Sequence, residues 1–273
     1  MFKEILTNVR TQKPLVHNIT NYVTVNDCAN ILLACGGSPI MADDKDEVAE
    51  ITALCSGLNI NIGTLNSRTV EAMRIAGKKA NQLAHPVVLD PVGAGASKLR
   101  TDTAVMLLNT IRFAVIRGNI SEIKTLASGR GTTQGVDADI SDTVTQDTLK
   151  NAVSFAKSFA RIHHTVVAVT GATDIVTDGE KAYCIANGNP MMSKITGTGC
   201  QLSAMTCAFV AANPQKPLEA AAAAVTAMGL AGEIAFQRLT PSDGNATYRN
   251  YIIDAIYRMT PEQLEKGANY EVR

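Results

Sequence analysis

Short apolar runs rich in valine and isoleucine recur along the chain, separated by longer stretches with helix-like composition. A mostly parallel sheet covered by helices on both faces requires that alternation, because strands buried on two sides read as nearly continuous hydrophobic runs. The pattern predicts strands over Pro39 to Met41, Leu58 to Ile62, Val87 to Asp90, Phe113 to Arg117 and Thr165 to Thr170. Helical composition fills Asn66 to Ala84, Thr101 to Asn109, Ser121 to Ala127 and Thr143 to Ile162. Asp178-Gly179, flanked by Asp174 to Thr177 and Lys181 to Ala186, is a hairpin signal, so antiparallel edge strands should follow the parallel set. Beyond Cys200 the chain reads as helical nearly to its end. The uncharged stretch Ala220 to Gly232 should be a buried helix, being shorter than the roughly 20 residues of a membrane span. Gly129 to Asp142 is polar and glycine-rich and should be an exposed loop. With no linker, repeat or low-complexity segment, residues 1–273 read as one α/β domain.

Composition narrows the function. An apolar content of 46% supplies a sizeable core, and 25 basic residues balance 25 acidic ones, so nothing favours a nucleic acid or an anionic membrane as partner. Tryptophan is absent, which weakens any case for a base-stacking surface. Cysteines stand at 28, 35, 55, 184, 200 and 207 with no Cys-x-x-Cys pair, and the amino terminus lacks the apolar stretch of a signal peptide. The expectation is reduced thiols in a cytoplasmic protein that works on small molecules.

The chemistry concentrates at Ile195-Thr196-Gly197-Thr198-Gly199-Cys200, directly before the helix-forming run Gln201 to Ala212. Glycines allow a tight turn and close approach to a ligand, and the first N–H groups of the following helix lack internal partners, so the turn is suited to an anion. The same field lowers a thiol's pKa, which would let Cys200 accept a proton near neutral pH. A second reading stands beside it, in which Cys200 is a small buried hydrophobe.

Ligands of open α/β sheets bind beyond the carboxyl ends of the strands, and four apolar runs end in polar or glycine-bearing segments there. One leads into Gly63-Thr64, one into Asp90-Pro91-Val92-Gly93, one into Arg117-Gly118-Asn119 with Glu122 a turn later, and one into Thr170-Gly171. Asp90 and Glu122 offer hard oxygens for Mg²⁺, which keeps several waters and borrows phosphate oxygens. Arg117 can fork onto phosphate and Thr170 can donate its hydroxyl, joining Gly199 and the rest of the turn in a set of groups suited to a polyphosphate. The plainer alternatives are an ion pair of Arg117 with Asp90 or Glu122, a threonine that merely ends its strand, and a simple turn at Asp90-Pro91. Neither a Walker A lysine loop nor a Gly-x-Gly-x-x-Gly dinucleotide fingerprint is present. Of the histidines at 17, 85, 163 and 164, His17, beside Asn18, Thr20 and Asn21, is the one that could stand near a site.

Six collinear segments carry a resemblance. They are Val16-His17-Asn18-Ile19-Thr20-Asn21, Gly37-Ser38-Pro39-Ile40-Met41-Ala42, Asn61-Ile62-Gly63-Thr64-Leu65, Leu89-Asp90-Pro91-Val92-Gly93-Ala94-Gly95, Ile116-Arg117-Gly118-Asn119-Ile120-Ser121-Glu122 and Thr196-Gly197-Thr198-Gly199-Cys200. Together they resemble the hydroxyethylthiazole kinases of the ribokinase-like superfamily across almost the whole chain. The resemblance implies a ribokinase-like α/β fold and ATP- and Mg²⁺-dependent phosphorylation of 4-methyl-5-(2-hydroxyethyl)thiazole, a salvage step toward thiamine. It implies that Arg117 and Thr170 bind nucleotide, that Met41 and Gly197 contact the substrate, and that Asn119 and Glu122 form an Asn-x-x-Glu motif around the metal, with Asn119 beside ATP. It also implies that Cys200 takes the place of the aspartate base common in the superfamily. A homotrimer with sites between subunits is implied too, with Asn21 contributed to the substrate site by the neighbouring chain. Thr198 departs from the alanine frequent at that point of the turn, but both glycines remain. Competing readings are another ribokinase-like alcohol kinase of pyrimidine or pyridoxal type, and a hydrolase with Cys200 as nucleophile and His17 or His164 as base.

Overall fold

The structure is a computed structural model describing residues 1–129 and 148–273. The expected loop is therefore outside the described residues apart from Gly129, as is the start of the helix expected from Thr143. The chain opens with α1 (Phe2–Gln12), β1 (Leu15–Ile19), α2 (Val25–Cys35), β2 (Ser38–Met41), α3 (Val48–Leu54) and β3 (Gly57–Asn61). It continues through α4 (Ser67–Gln82), β4 (Val87–Asp90), α5 (Lys98–Thr110), β5 (Val115–Asn119) and α6 (Ile120–Ser128). Then come α7 (Leu149–His163), β6 (Val166–Thr170), the hairpin β7 (Asp174–Thr177) and β8 (Ala182–Ile185), and a short 3-10 turn, Pro190–Lys194. Helices α8 (Thr198–Ala211), α9 (Pro217–Gln237), α10 (Asn245–Arg258) and α11 (Pro261–Gly267) precede a last strand, β9 (Tyr270–Val272).

All described strands join one sheet in the order β2-β1-β3-β4-β5-β6-β7-β8-β9. The first six strands in that order run parallel, and β6 through β9 pair antiparallel, as the hairpin signal predicts. Alternation along each strand feeds two cores. Val88, Val115, Val166 and Ala168 face α1, α2 and α8–α11, while Val87, Leu89, Ile116, Val167 and Val169 face α4–α7. The α9 helix is 21 residues long and apolar enough to cross a membrane by length and composition, yet its alanine-rich length is packed inside the protein.

The hydrophobic pattern does not single out α1, β1, α2 or α3. The strand β1 interrupts its apolar run with His17 and Asn18, which hides it from a hydrophobicity reading. Both side chains are buried and partnered: Asn18 accepts from Asn59 Nδ2 at 3.1 Å, and the His17 ring meets Thr52 Oγ1 at 2.9 Å and the Ala42 carbonyl at 2.8 Å. After Cys200 the chain is helical nearly to its end, as expected, and one short strand follows. Polar, exposed β9 caps the sheet edge because the Tyr270 ring packs on those of Phe2 and Tyr183, at 5.2 and 5.3 Å.

His17 therefore belongs to the scaffold, clasping β1 to the loop after β2 and to α3. Burial holds its imidazole below the usual range, so the unfolded chain takes up that proton more readily than the folded one. Its contribution to stability is present above the unfolded value near 6.5 and is lost as pH falls below it. Urea denaturation at stepped pH should show stability declining from pH 7 toward 5, and His17→Gln should flatten that decline.

Candidate active site

The six parallel strands deliver their carboxyl ends to one edge: Met41 from β2, Asn21 just past β1, Asn61 from β3, Asp90 from β4, Arg117 and Asn119 from β5, and Thr170 from β6. The chain steps outward from β1 to β2 and returns across to β3, so the strand order reverses between β1 and β3. Such a reversal opens a crevice at the carboxyl edge. Asn21 and Asn61 flank it, and the first turn of α8 enters above it.

Gly197 caps α8 with φ near +90°, and a Cβ there would stand 2.5 Å from Thr24 Cγ2, so glycine is required on both counts. The turn carries Cys200 to the two asparagines. Asn21 Nδ2 donates to Cys200 Sγ at 3.2 Å and Asn61 Nδ2 donates at 3.3 Å. Asn61 also donates to Asp90 at 2.8 Å. Asp90 has no exposed surface and accepts from Ser203 Oγ at 2.8 Å, with Arg117 Nη1 at 3.5 Å. The ion pair between Arg117 and Asp90 left open by the sequence is thus formed. Burial pushes the Asp90 carboxyl upward, the nearby Glu122 carboxylate adds to the rise, and Arg117, Ser203 and Asn61 oppose it.

The thiol does not follow the expectation of a lowered pKa. Burial and the Asp90 charge hold Cys200 above its usual range, outweighing the donors Thr24, Asn21 and Asn61. Nor does Asn21 reach this site from another chain: it is buried in its own, because the end of β1 lies beside the end of β3. His17 faces Thr52 and Ala42, and His164 caps α7 at the opposite end of the sheet. Neither can serve Cys200 as a base, which removes the basis for the hydrolase reading.

On the other side of Cys200 a cavity of about 580 Å³ opens, lined by Arg117, Thr170, Thr198 and Gly199 and walled by Leu202, Val225 and Met228. Arg117 Nη2 donates to Thr170 Oγ1 at 2.9 Å, and a Cβ on Gly199 would come within 2.5 Å of Arg117 Nη1. The guanidinium thus lies flat against the glycine turn, a cation beside unpaired helix N–H groups. Asp174 lines the cavity as well. It accepts from the Gly171 N–H at 2.8 Å, and burial pushes its carboxyl up to about 7.

Asn119 and Glu122 form a capping box at the start of α6, each side chain accepting the other's backbone N–H at 2.8 Å. The second Glu122 oxygen accepts from Gly93 N–H at 2.9 Å, which ties this turn to the loop after Asp90. No cluster of three or more His, Cys, Asp or Glu side chains able to enclose a metal exists among the described residues. The donor set fits a cation that keeps its own waters: two carboxylates, with Glu122 near enough to raise the cost of charging Asp90, each already holding hydrogen bonds.

The sequence alone does not single out Asn61, Thr24, Ser203 or Asp174. Asn61 carried a readable signal, a polar residue at the carboxyl end of its strand, and Ser203 stands one helical turn after Gly199. Asp174, opening a hairpin strand, carried none.

Sheet, reversal point and glycine turn define a small-molecule kinase of the ribokinase-like class. Staphylococcus aureus pyridoxal kinase, solved with ADP, shares the fold with a TM-score of 0.59 at 14% identity, over 96% of this chain and 98% of that one. The chain itself belongs to the hydroxyethylthiazole kinase family, whose sequence model matches residues 6–262. It is 62% identical over 271 residues to the hydroxyethylthiazole kinase of Clostridium acetobutylicum, covering 99% of both chains. It is 50% identical to that of Ruminiclostridium cellulolyticum over 93% of this chain and 91% of the relative. The solved Pyrococcus horikoshii hydroxyethylthiazole kinase superposes with a TM-score of 0.89 at 36% identity, over 100% of this chain and 98% of that one.

The close fit of guanidinium to glycine makes Gly199→Ala a direct probe of the cavity. The added methyl displaces Arg117, so titration calorimetry should find ATP binding weakened roughly tenfold or more, the scale of one lost charge-assisted hydrogen bond.

Proposed function

We propose that the chain is a single kinase domain, residues 1–273, that transfers the γ-phosphoryl group of ATP to the hydroxyl of 4-methyl-5-(2-hydroxyethyl)thiazole, a thiamine-salvage reaction. The observation that carries the reading is Cys200 in the first turn of α8, held by Asn21 and Asn61 and directly following Gly199, which lines the cavity together with Arg117 and Thr170.

In this reading ATP lies in the cavity with its base against Leu202, Val225 and Met228. Its phosphates lie over the Gly197 to Cys200 turn, within reach of Arg117, Thr170 and Asn119. The thiazole alcohol enters beside Asn21, Met41 and Gly197. Its hydroxyl oxygen bonds to the γ-phosphorus as the bond to the bridging oxygen breaks, ADP leaves, and the hydroxyl proton passes to Cys200 Sγ. The turn's amides and Arg117 hold charge that builds on the transferred group, which is most of what phosphoryl transfer asks of a protein. Asp90 and Glu122 would hold Mg²⁺, which would supply positive charge against the phosphates of the nucleotide.

The proton acceptor must be the thiolate, and Cys200 is held above its usual range. Turnover should therefore climb with pH through neutrality and continue to rise into the alkaline range. A carboxylate in its place is ionised throughout. Incubation with the thiazole alcohol and ATP should give the phosphate ester. Cys200→Ala should slow turnover by about 10²–10⁴, the usual worth of a general base. Cys200→Asp should keep turnover and level off at lower pH. An aspartate variant as slow as the alanine one rules out the base role.

The same reading makes the protein a homotrimer with sites at the subunit boundaries. Tyr22 and Val23, 78% and 59% exposed, directly follow Asn21 and leave an apolar rim beside the crevice. We also read it as cytoplasmic, which agrees with six free cysteines. Light scattering should return the mass of three chains, and Tyr22→Asp with Val23→Asp should give single chains with sharply reduced turnover. A wild type that runs as a monomer at full activity refutes the trimer.

A further inference from the structure

The Asn61 side chain has two N–H donors and one carbonyl acceptor with two lone pairs, and the protein uses all four positions. Nδ2 donates to Asp90 Oδ2 at 2.8 Å and to Cys200 Sγ at 3.3 Å. Oδ1 accepts from Asn21 Nδ2 and from the Gly63 N–H, both at 2.9 Å. Turning the amide end for end would set donor against donor at Gly63 and acceptor against the Asp90 carboxylate, so only one orientation is open. Asn21 is locked in the same way, because its Oδ1 accepts from the Thr24 N–H at 3.1 Å and from Thr24 Oγ1 at 3.0 Å. Two immobile amides thus aim N–H groups at one sulfur. Converging donors suit a sulfur that accepts hydrogen bonds and disfavour one whose own S–H must be placed.

Asn61 is also the one described side chain that hydrogen-bonds both Cys200 and Asp90. The first is the proton acceptor of the proposed reaction and the second belongs to its metal side. We propose that Asn61 is a positioning residue of the phosphoryl transfer, its carboxamide fixing the Cys200 sulfur relative to Asp90 so that proton acceptor and phosphate-binding side keep one geometry. This rests on the kinase reading with Cys200 as base. The residue acts through Cys200, so its effect must vanish when the sulfur is absent.

A double-mutant cycle tests that dependence. Wild type, Asn61→Ala, Cys200→Ala and the double variant are compared with ATP, Mg²⁺ and the thiazole alcohol. Asn61→Ala should lower kcat roughly tenfold to a hundredfold, the range for a lost hydrogen bond to a charged group, and leave the KM for ATP unchanged. In the Cys200→Ala background it should cost nothing further. Asn61→Asp keeps the acceptor for Asn21 and Gly63 but loses both donors, and it should be slowed like Asn61→Ala. Equal losses in both backgrounds, a change confined to the KM for ATP, or full turnover by Asn61→Asp would each overturn the proposal. A wild type that makes no ester, or Cys200→Ala as fast as wild type, overturns instead the reading on which it rests.

Discussion

A carboxylate without exposed surface ends β4, and the layout of the whole carboxyl edge follows from keeping it there. Burying an ion costs several kcal/mol unless hydrogen bonds and an opposite charge meet it. Asp90 meets three such groups, each from a different element: Asn61 from β3, Ser203 from α8 and Arg117 from β5. Each of those groups carries a second contact into the site. Asn61 goes on to Cys200, Arg117 goes on to Thr170 and Gly199, and Ser203 sets the first turn of α8 against the sheet by donating also to the Gly199 carbonyl at 3.2 Å. The crevice and the cavity are thus two sides of one polar cluster, which gives them a fixed relation.

That cluster also decides the state of the thiol. A helix N-terminus offers a neighbouring anion about 0.3–1 kcal/mol when exposed and up to about 2 when partly buried. At about 1.4 kcal/mol per pKa unit, this moves a thiol by roughly one unit. Burial alone can move it several units in the opposite direction. A carboxylate nearby adds to the burial effect here, so the free chain holds Cys200 as a thiol in spite of three donors and the helix start. The turn Gly197 to Cys200 says from its own residues that an anion fits. It cannot say that the aspartate ending β4, far earlier in the chain, lies behind the same sulfur.

The same limit accounts for what was and was not legible. The strands from β2 to β6 and the helices α4 to α7 follow from apolar pattern and composition, since parallel strands buried on two faces read as apolar runs, whereas the short α3 does not stand out. The site residues at strand ends, Asp90, Arg117, Asn119 and Thr170, were readable for the same reason: polarity appears where the apolar run stops. The strand β1 was hidden because His17 and Asn18 are polar inside the core, and a buried polar group betrays itself only through partners distant in sequence, Thr52, Ala42 and Asn59. His17 looked like a site residue on that account and is a clasp. Asn21 looked like a neighbour's contribution and lies in its own chain's crevice, since the reversal of strand order between β1 and β3 is a property of the sheet that no local pattern announces.

The Asn119-x-x-Glu122 segment shows how a motif can serve fold and chemistry at once. A reciprocal capping box closes two of the open N–H groups at the head of α6, which is a local reason for asparagine and glutamate at that spacing in any helix. The glutamate does more, because its other oxygen reaches across to the Gly93 N–H in the loop after Asp90. That bond fixes the distance between β4 and β5 at their carboxyl ends and turns a second carboxylate toward the first, raising the cost of charging Asp90. Glutamine at 122 could accept the Asn119 N–H and complete the cap, but its NH2 group would then stand against the Gly93 N–H that the second carboxylate oxygen accepts. The carboxylate meets both N–H groups and its charge favours the helix start, while working against Asp90; under the proposed function a cation held with Asp90 would offset that cost.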